Sequence, residues 1–183
     1  MIFDATPLAG AYVVTPEPHS DARGFFARLF CAKSFAERGF NPHLDQISMS
    51  QNVRAGTLRG LHLQRPPAAE CKLVRVTAGA IFDVIVDVRA GSATYGRWFG
   101  VELSAANRRQ LYIPQGFAHG FQTLVPDTEV TYHISVPYAP ERADGLIWND
   151  PDIGIRWPAP DATVLSERDA SLKPLADFEP VPC

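Results

Sequence analysis

Apolar residues recur along this chain mainly at every second position, in short runs separated by turn residues. The clearest run is Ile81–Arg89, I-F-D-V-I-V-D-V-R. Phe82, Val84, Val86 and Val88 fall on one face, while Asp83, Asp87 and Arg89 share the other with Ile81 and Ile85. Period-two alternation rich in β-branched residues predicts a half-buried strand. Similar runs predict strands at Tyr12–Thr15, Leu73–Thr77, Trp98–Leu103, Gln110–Ile113 and Glu129–Ser135. Helical spacing is confined to Ala32–Gly39, with Arg38 in the last turn and Gly39 as the stop. Prolines and glycines are spread throughout, so turns are many and no linker divides residues 1–183 into domains. No repeat of solenoid or propeller length is present. The last forty residues, rich in Pro and Asp, are expected to wrap the body in loops and short helices. Many strands and few helices predict an all-β, single-domain chain, a jelly-roll sandwich or barrel with a few short peripheral helices. The mouth of such a barrel suits a small-molecule site.

Composition narrows the function. With 183 residues, 46% of them hydrophobic and 20% charged, the chain can fill a core without a metal or disulfide staple. A net charge of −3 argues against binding a nucleic-acid polymer, while leaving room for a local basic pocket. Cys31, Cys71 and Cys183 are scattered, form no C-x-x-C pair and read as reduced thiols. The start, M-I-F-D-A-T-P-L, has no basic region and is interrupted by Asp4, unlike a secretory signal. The uncharged run Leu111–Pro126 holds prolines, glycines, His119 and two glutamines, unlike a membrane span. A cytoplasmic protein that binds neither membrane nor nucleic acid is the expectation.

Four segments carry polar residues that need an explanation. In G-T-L-R-G-L-H-L-Q (Gly56–Gln64), strand alternation puts Arg59, Leu61 and Leu63 on one face and Gly60, His62 and Gln64 on the other. His62 there reads equally as a buried structural histidine or a functional one. Lys72 opens an otherwise apolar strand, and by itself reads as a solvated edge charge. His119 lies in I-P-Q-G-F-A-H-G-F-Q-T-L, whose glycines suggest tight turns or close backbone approach, with Phe117 and Phe121 in the core. Tyr132 and Tyr138, taken singly, read as packing residues. His43 and His133 read as surface residues, and Asp83 and Asp87 as strand-face carboxylates with structural partners.

A metal site is the first chemistry to test. Gly56-x5-His62 and Pro114-x-Gly116-x2-His119 match the frames of the two cupin motifs. The first motif then requires H-x-H and a nearby glutamate, but His62-Leu63-Gln64 stands there and Glu70 is displaced. A catalytic site needs about three protein ligands, so a metal is not expected, nor is any other cofactor. Histidine, lysine and tyrosine together suit another reaction. A neutral imidazole can remove a proton next to a ketone if a cation or second imidazole holds the enolate oxygen. A phenol on the opposite face can return the proton and invert the carbon. Nearby arginines would hold a diphosphate by forked hydrogen bonds.

These residues resemble the dTDP-4-dehydrorhamnose 3,5-epimerase family. The resemblance runs from D-x-R-G-x-F (Asp21–Phe26) through G-T-L-R-G-L-H-x-Q-x-P-P, K-L-V-R-V-x-x-G, D-V-x-V-D-x-R, S-x-T-Y, P-x-G-F-A-H-G-F and W-N-D-P to S-E-R-D (Ser166–Asp169). It implies a metal-free, cupin-like jelly roll that forms a homodimer, with the N-terminal segment reaching into the partner's site. It also implies roles: His62 as general base, Asp169 as the carboxylate orienting it, Lys72 and His119 on the sugar, with Lys72 placed to stabilise the enolate, and Tyr132 as general acid. Tyr138 would stack near the nucleotide. Arg23, Phe26, Arg28, Gln46, Ser48, Arg59 and Arg168 would contact the substrate.

The chain departs from the pattern in four places. Arg28 stands where a glutamate is common, and Arg168 where a lysine is usual. The family's Q-x-N-x-S is Q-I-S-M-S-Q-N here (Gln46–Asn52), and an expected acidic residue is Ala143, with Asp144 beside it. The function expected is epimerisation at C3, C5 or both of a nucleotide-linked 4-keto-6-deoxyhexose, within deoxysugar biosynthesis. The alternatives are a ketoisomerase on the same scaffold and a non-catalytic sugar-binding jelly roll.

Overall fold

The alternating runs become strands that pair in two facing sheets. A computed structural model describes residues 1–182. In chain order the strands are β1 (Ile2–Ala5), β2 (Tyr12–Thr15), β3 (His19–Asp21), β4 (Gly24–Phe26), β5 (Gln46–Asn52), β6 (Leu58–Gln64) and β7 (Lys72–Ala78). There follow β8 (Ala80–Asp87), β9 (Trp98–Ser104), β10 (Gln110–Ile113), β11 (Phe117–Thr123), β12 (Thr128–Ile134) and β13 (Ala143–Gly145). Two short helices, α1 (Ala32–Ala36) and α2 (Glu167–Ala170), lie outside the sheets. The larger sheet runs β1-β2-β10-β7-β12-β5 and the smaller β13-β6-β11-β8-β9, with β3 and β4 as a separate hairpin. This is the expected all-β jelly roll with few peripheral helices.

Three apolar layers hold it. Val74 and Val76 of β7, Leu111 of β10, Ile81 and Ile85 of β8, Phe121 of β11 and Val130 of β12 meet between the sheets. The outer face of the smaller sheet, with Leu58, Leu61, Val84, Val86 and Ala118, is covered by Leu146, Ile153, Trp157, Phe178 and Val181. Here the C-terminal segment wraps the body as its composition suggests. A third layer packs Phe35 of α1 with Phe40, Leu73 and Tyr112, and Phe40 stacks on Tyr112 at 4.6 Å between ring centroids. Burying each such large apolar side chain stabilises the fold by about 1.5–3 kcal/mol.

β8 corrects the expectation of a half-buried strand. The apolar face packs under the C-terminal segment, but Asp83 and Asp87 on the other face are fully buried too. A strand between β11 and β9, with a layer on each side, has no solvent face. α1 is shorter than its expected span, ending at Ala36 with Glu37 as its C-cap and Arg38 beyond it, but Gly39 still closes the turn. Gly39 has φ +75°, and Gly39 and Phe40 donate their amide protons to the carbonyls of Ala36 and Phe35. β11 is a full strand entered through a turn at Gly116, which has φ +80°, while Gly120 within it serves the close backbone approach that the glycines also suggested.

Candidate active site

The site begins with a fault in strand pairing. β6 pairs with β11 with His62 opposite His119 and Arg59 opposite Phe121, and the register shifts between the two pairs. A Cβ on Gly60 would lie 2.5 Å from the Gly120 Cα, and one on Gly120 would lie 2.7 Å from the Arg59 carbonyl oxygen. Gly60 also has φ +126°, a conformation glycine alone adopts easily. The two backbones therefore touch at Gly60 and Gly120. The slip puts Arg59 and His62 on one face, where strict alternation had separated them.

Two histidine–aspartate pairs flank this crossing. His62 Nε2 lies 2.7 Å from Asp169 Oδ1, while Asp169 Oδ2 accepts the Gly60 amide at 3.0 Å. Asp169 sits in the first turn of α2, where its own amide donates to the Ser166 hydroxyl at 3.1 Å. Burial pushes the Asp169 carboxyl upward, but the hydrogen bond and charge of His62, the Gly60 amide and Ser166 hold it below its ordinary value. On the neighbouring strand, His119 Nε2 lies 2.7 Å from Asp83 Oδ1. Asp83 Oδ2 is buried without a hydrogen-bond partner.

The larger sheet supplies the facing groups. Lys72 is buried rather than a solvated edge charge. Its Nζ lies 2.8 Å from Glu70 Oε1 and donates to the His62 carbonyl at 3.4 Å. The Tyr132 hydroxyl lies 3.0 Å from Ser50 Oγ on the adjacent strand β5. Burial pushes the Tyr132 phenol up to about 12; the Asp83 charge adds to this, while Ser50 and Arg59 oppose it. Its ring meets His119 edge-on at 6.4 Å between centroids.

These side chains line one cavity of about 340 Å³, walled by Ser50, Arg59, His62, Lys72, His119, Tyr132, Arg168 and Asp169 together with Phe121 and Ser166. A smaller space of about 180 Å³ shares His62, Lys72, Tyr132 and Arg168 and extends to Glu70, Tyr138, Ala143 and Asp144. Among the described residues, no group of three His, Cys, Asp or Glu is placed to hold a metal ion.

The family model for dTDP-4-dehydrorhamnose 3,5-epimerase matches residues 5–177. The chain belongs to that family. It is 46% identical over 178 residues to the dTDP-4-dehydrorhamnose 3,5-epimerase of Sinorhizobium fredii, covering 97% of this chain and 91% of the relative. The crystal structure of the Elizabethkingia anophelis dTDP-4-dehydrorhamnose 3,5-epimerase superposes with a TM-score of 0.94 at 38% identity, covering 97% of each chain. A Legionella pneumophila epimerase solved in complex with dTDP-4-keto-L-rhamnose gives 0.91 at 38% identity, covering 97% of this chain and 94% of that one.

Not every residue predicted from the sequence gathers at the cavity of this epimerase-family chain. His62, Lys72, Tyr132, Asp169, Arg59, His119 and Arg168 do, and Tyr138 lines the smaller space. Gln46 and Ser48 lie on β5, Ser48 directly opposite Tyr132, and Gln46 Oε1 accepts the Tyr138 amide at 3.0 Å. Arg23 and Phe26 lie on the exposed hairpin, where Arg23 pairs with Asp21. Phe26 and Arg28 line a separate space with Met1, Glu17, His19 and Ser34. None of these three touches the cavity within one chain.

Other residues were missed or misplaced by the sequence reading. Ser50 and Asn52 gave no signal beyond their place in Gln46–Asn52, yet Asn52 Oδ1 accepts from Arg59 Nε at 2.7 Å. Asp83 proves to be the partner of His119, and Glu70 the partner of Lys72. Asp144 is already bound to Arg65 at 2.6 Å and Lys173 at 3.0 Å, so its carboxylate is not a ready substitute for the acid absent at Ala143. His43 is exposed as expected, but His133 is half-buried, and burial together with the Arg75 charge lowers its pKa. Cys31 and Cys71 are free, while Cys183 lies outside the described residues. No described helix is long and apolar enough to cross a membrane.

Proposed function

We propose that this chain inverts C3 and C5 of a dTDP-linked 4-keto-6-deoxyhexose by removing and returning protons through an enolate. One observation carries the reading: His62 of the smaller sheet and Tyr132 of the larger sheet wall a single cavity, so base and acid approach a bound ring from opposite sides. With Nε2 committed to Asp169, His62 keeps Nδ1 as the nitrogen to take the α-proton. Asp169 stabilises the imidazolium that results. Lys72 is the donor for the oxygen at C4, where negative charge develops, and His119, with Nε2 facing Asp83, binds the sugar beside it. Tyr132, kept protonated by burial, delivers its proton to the opposite face of the carbon. Both carbons adjoin the same ketone, so one base and one acid serve each in turn. Arg59 and Arg168 suit the diphosphate, and Tyr138, with 58% of its surface exposed, suits a stacked base.

The working unit is a homodimer in this reading, with Arg23 and Phe26 completing the partner's cavity. Supporting it are the exposure of Phe25 and Phe26 (50% and 72%) and the absence of their hairpin from the lining of this chain's own cavity. The free thiols of Cys31 and Cys71 fit a cytoplasmic setting. The test is incubation with dTDP-, UDP-, CDP- and GDP-linked 4-keto-6-deoxysugars in deuterated water, read by NMR. Deuterium should enter C3 and C5 of the dTDP sugar with inversion and without added metal. Absence of exchange with every sugar, or movement of the carbonyl instead of inversion, would overturn the reading.

A further inference from the structure

The cavity wall contains a hydrogen-bond chain that the acid–base scheme does not use. Arg59 Nε donates to Asn52 Oδ1 at 2.7 Å, and Asn52 Nδ2 donates to the Thr128 carbonyl at 3.1 Å. Arg59 can only donate and a carbonyl can only accept, so both bonds orient the Asn52 amide the same way. The amide nitrogen then also faces Ser50 Oγ, at 3.4 Å, and gives that oxygen a proton to accept. Among the described residues Ser50 Oγ has one other hydrogen-bond partner, the Tyr132 hydroxyl at 3.0 Å. A serine that accepts from Asn52 satisfies its own hydrogen by donating to the Tyr132 oxygen. The phenol's hydrogen is then left to point away from Ser50, into the cavity.

We propose that Ser50, held by Asn52 and Arg59, is a positioning residue that turns the Tyr132 proton toward the substrate. This rests on the proposed function and adds to it a polarity: the chain runs donor to acceptor from Arg59 to the phenol. The same bond serves after transfer, because a serine hydroxyl already donating to the phenol oxygen stabilises the phenolate left behind. Arg59 thereby links the diphosphate end of the substrate to the orientation of the acid. Ser50 and Asn52 lie on β5 of the larger sheet, across the cavity from His62, so proton removal and proton return respond differently to Ser50.

The experiment compares solvent deuterium exchange with inversion in the full-length protein. Ser50→Ala should retain exchange, as His62 takes and returns the proton on one face, while inversion falls about tenfold, the scale of one lost hydrogen bond to an ionising group. Ser50→Thr keeps the hydroxyl and should recover inversion. Asn52→Asp keeps an acceptor for Arg59 but removes the donor to Ser50, so it should reproduce the Ser50→Ala defect. Asn52→Asp also sets a carboxylate against the Thr128 carbonyl, so the serine pair carries the test if that variant unfolds. Wild-type inversion in Ser50→Ala, or equal losses of exchange and inversion, would overturn the proposal. A wild-type protein without any exchange condemns the proposed function instead. The chain is then judged by alkaline difference titration against Tyr132→Phe, where Ser50→Ala must raise the Tyr132 ionisation and an unchanged titration refutes it.

Discussion

His62–Asp169 and His119–Asp83 are two copies of one contact, Nε2 to Oδ1 at 2.7 Å, standing opposite each other on β6 and β11. Their surroundings differ. The His62 side chain is 36% exposed, and its aspartate is held on both oxygens by His62 and the Gly60 amide. The His119 side chain is 5% exposed, and the second oxygen of Asp83 has no partner. An accessible imidazole backed by a fully engaged carboxylate can accept a proton and hold it. A sealed imidazole whose Nε2 is spent on a carboxylate is fixed in place and presents Nδ1 to the sugar as an acceptor. Identical pairing thus supports two roles, and access separates them.

Removing the proposed base attacks that comparison most directly. His62→Ala should lower both deuterium exchange and inversion by about 10³-fold, within the range of general base catalysis, as measured by NMR. Full exchange in that variant would reverse the assignment of the two histidines. Asp169→Asn should follow at about 10²-fold, since it loses the partner of the imidazolium while keeping the shape of the carboxylate. Asp83→Asn should cost only about tenfold, because His119 loses an orienting acceptor and no proton is parked there. A loss equal to that of Asp169→Asn would mean that His119 also ionises during turnover.

Asp87 supplies the control, on the same face of β8 as Asp83 but without access to the cavity. Burial alone would raise its carboxyl, yet Arg89, Ser92, Thr94 and the Arg89 amide bring it from 3.8 down to about 2. A folded-state pKa below the unfolded value stabilises above the unfolded one and is lost as pH falls through the folded one. Asp87→Asn should therefore destabilise by about 2 kcal/mol at neutral pH, with the difference fading from about pH 4 to pH 2. Thermal melts across that window check it. Exchange per folded molecule should stay unchanged.

The contrast between the two pairs was only partly legible in the sequence. Strand positions were, because runs such as Gln110–Ile113 alternate cleanly and end at turn residues. So was the identity of His62, Lys72, His119, Tyr132 and Asp169, through the resemblance of their motifs in order. The pairing of Arg59 with His62 on one face was hidden, since alternation assumes an unbroken register and the slip at Gly60 breaks it. Asp83 was hidden for a related reason: a carboxylate on an alternating strand marks a solvent face unless another layer covers it. Ser50 and Asn52 carry meaning only through β12 and β6, which meet them from distant parts of the chain.

The contact between Gly60 and Gly120 has a consequence for anyone redesigning this scaffold. The spacing of the two histidines is set by main chain against main chain, with no side chain in between to be exchanged. Walls such as Tyr138, Ala143 and Arg168 can be varied to admit other sugars or bases, and the proton machinery keeps its dimensions. A mutational library should therefore show freedom around the rim and near-total intolerance at two residues that touch no substrate.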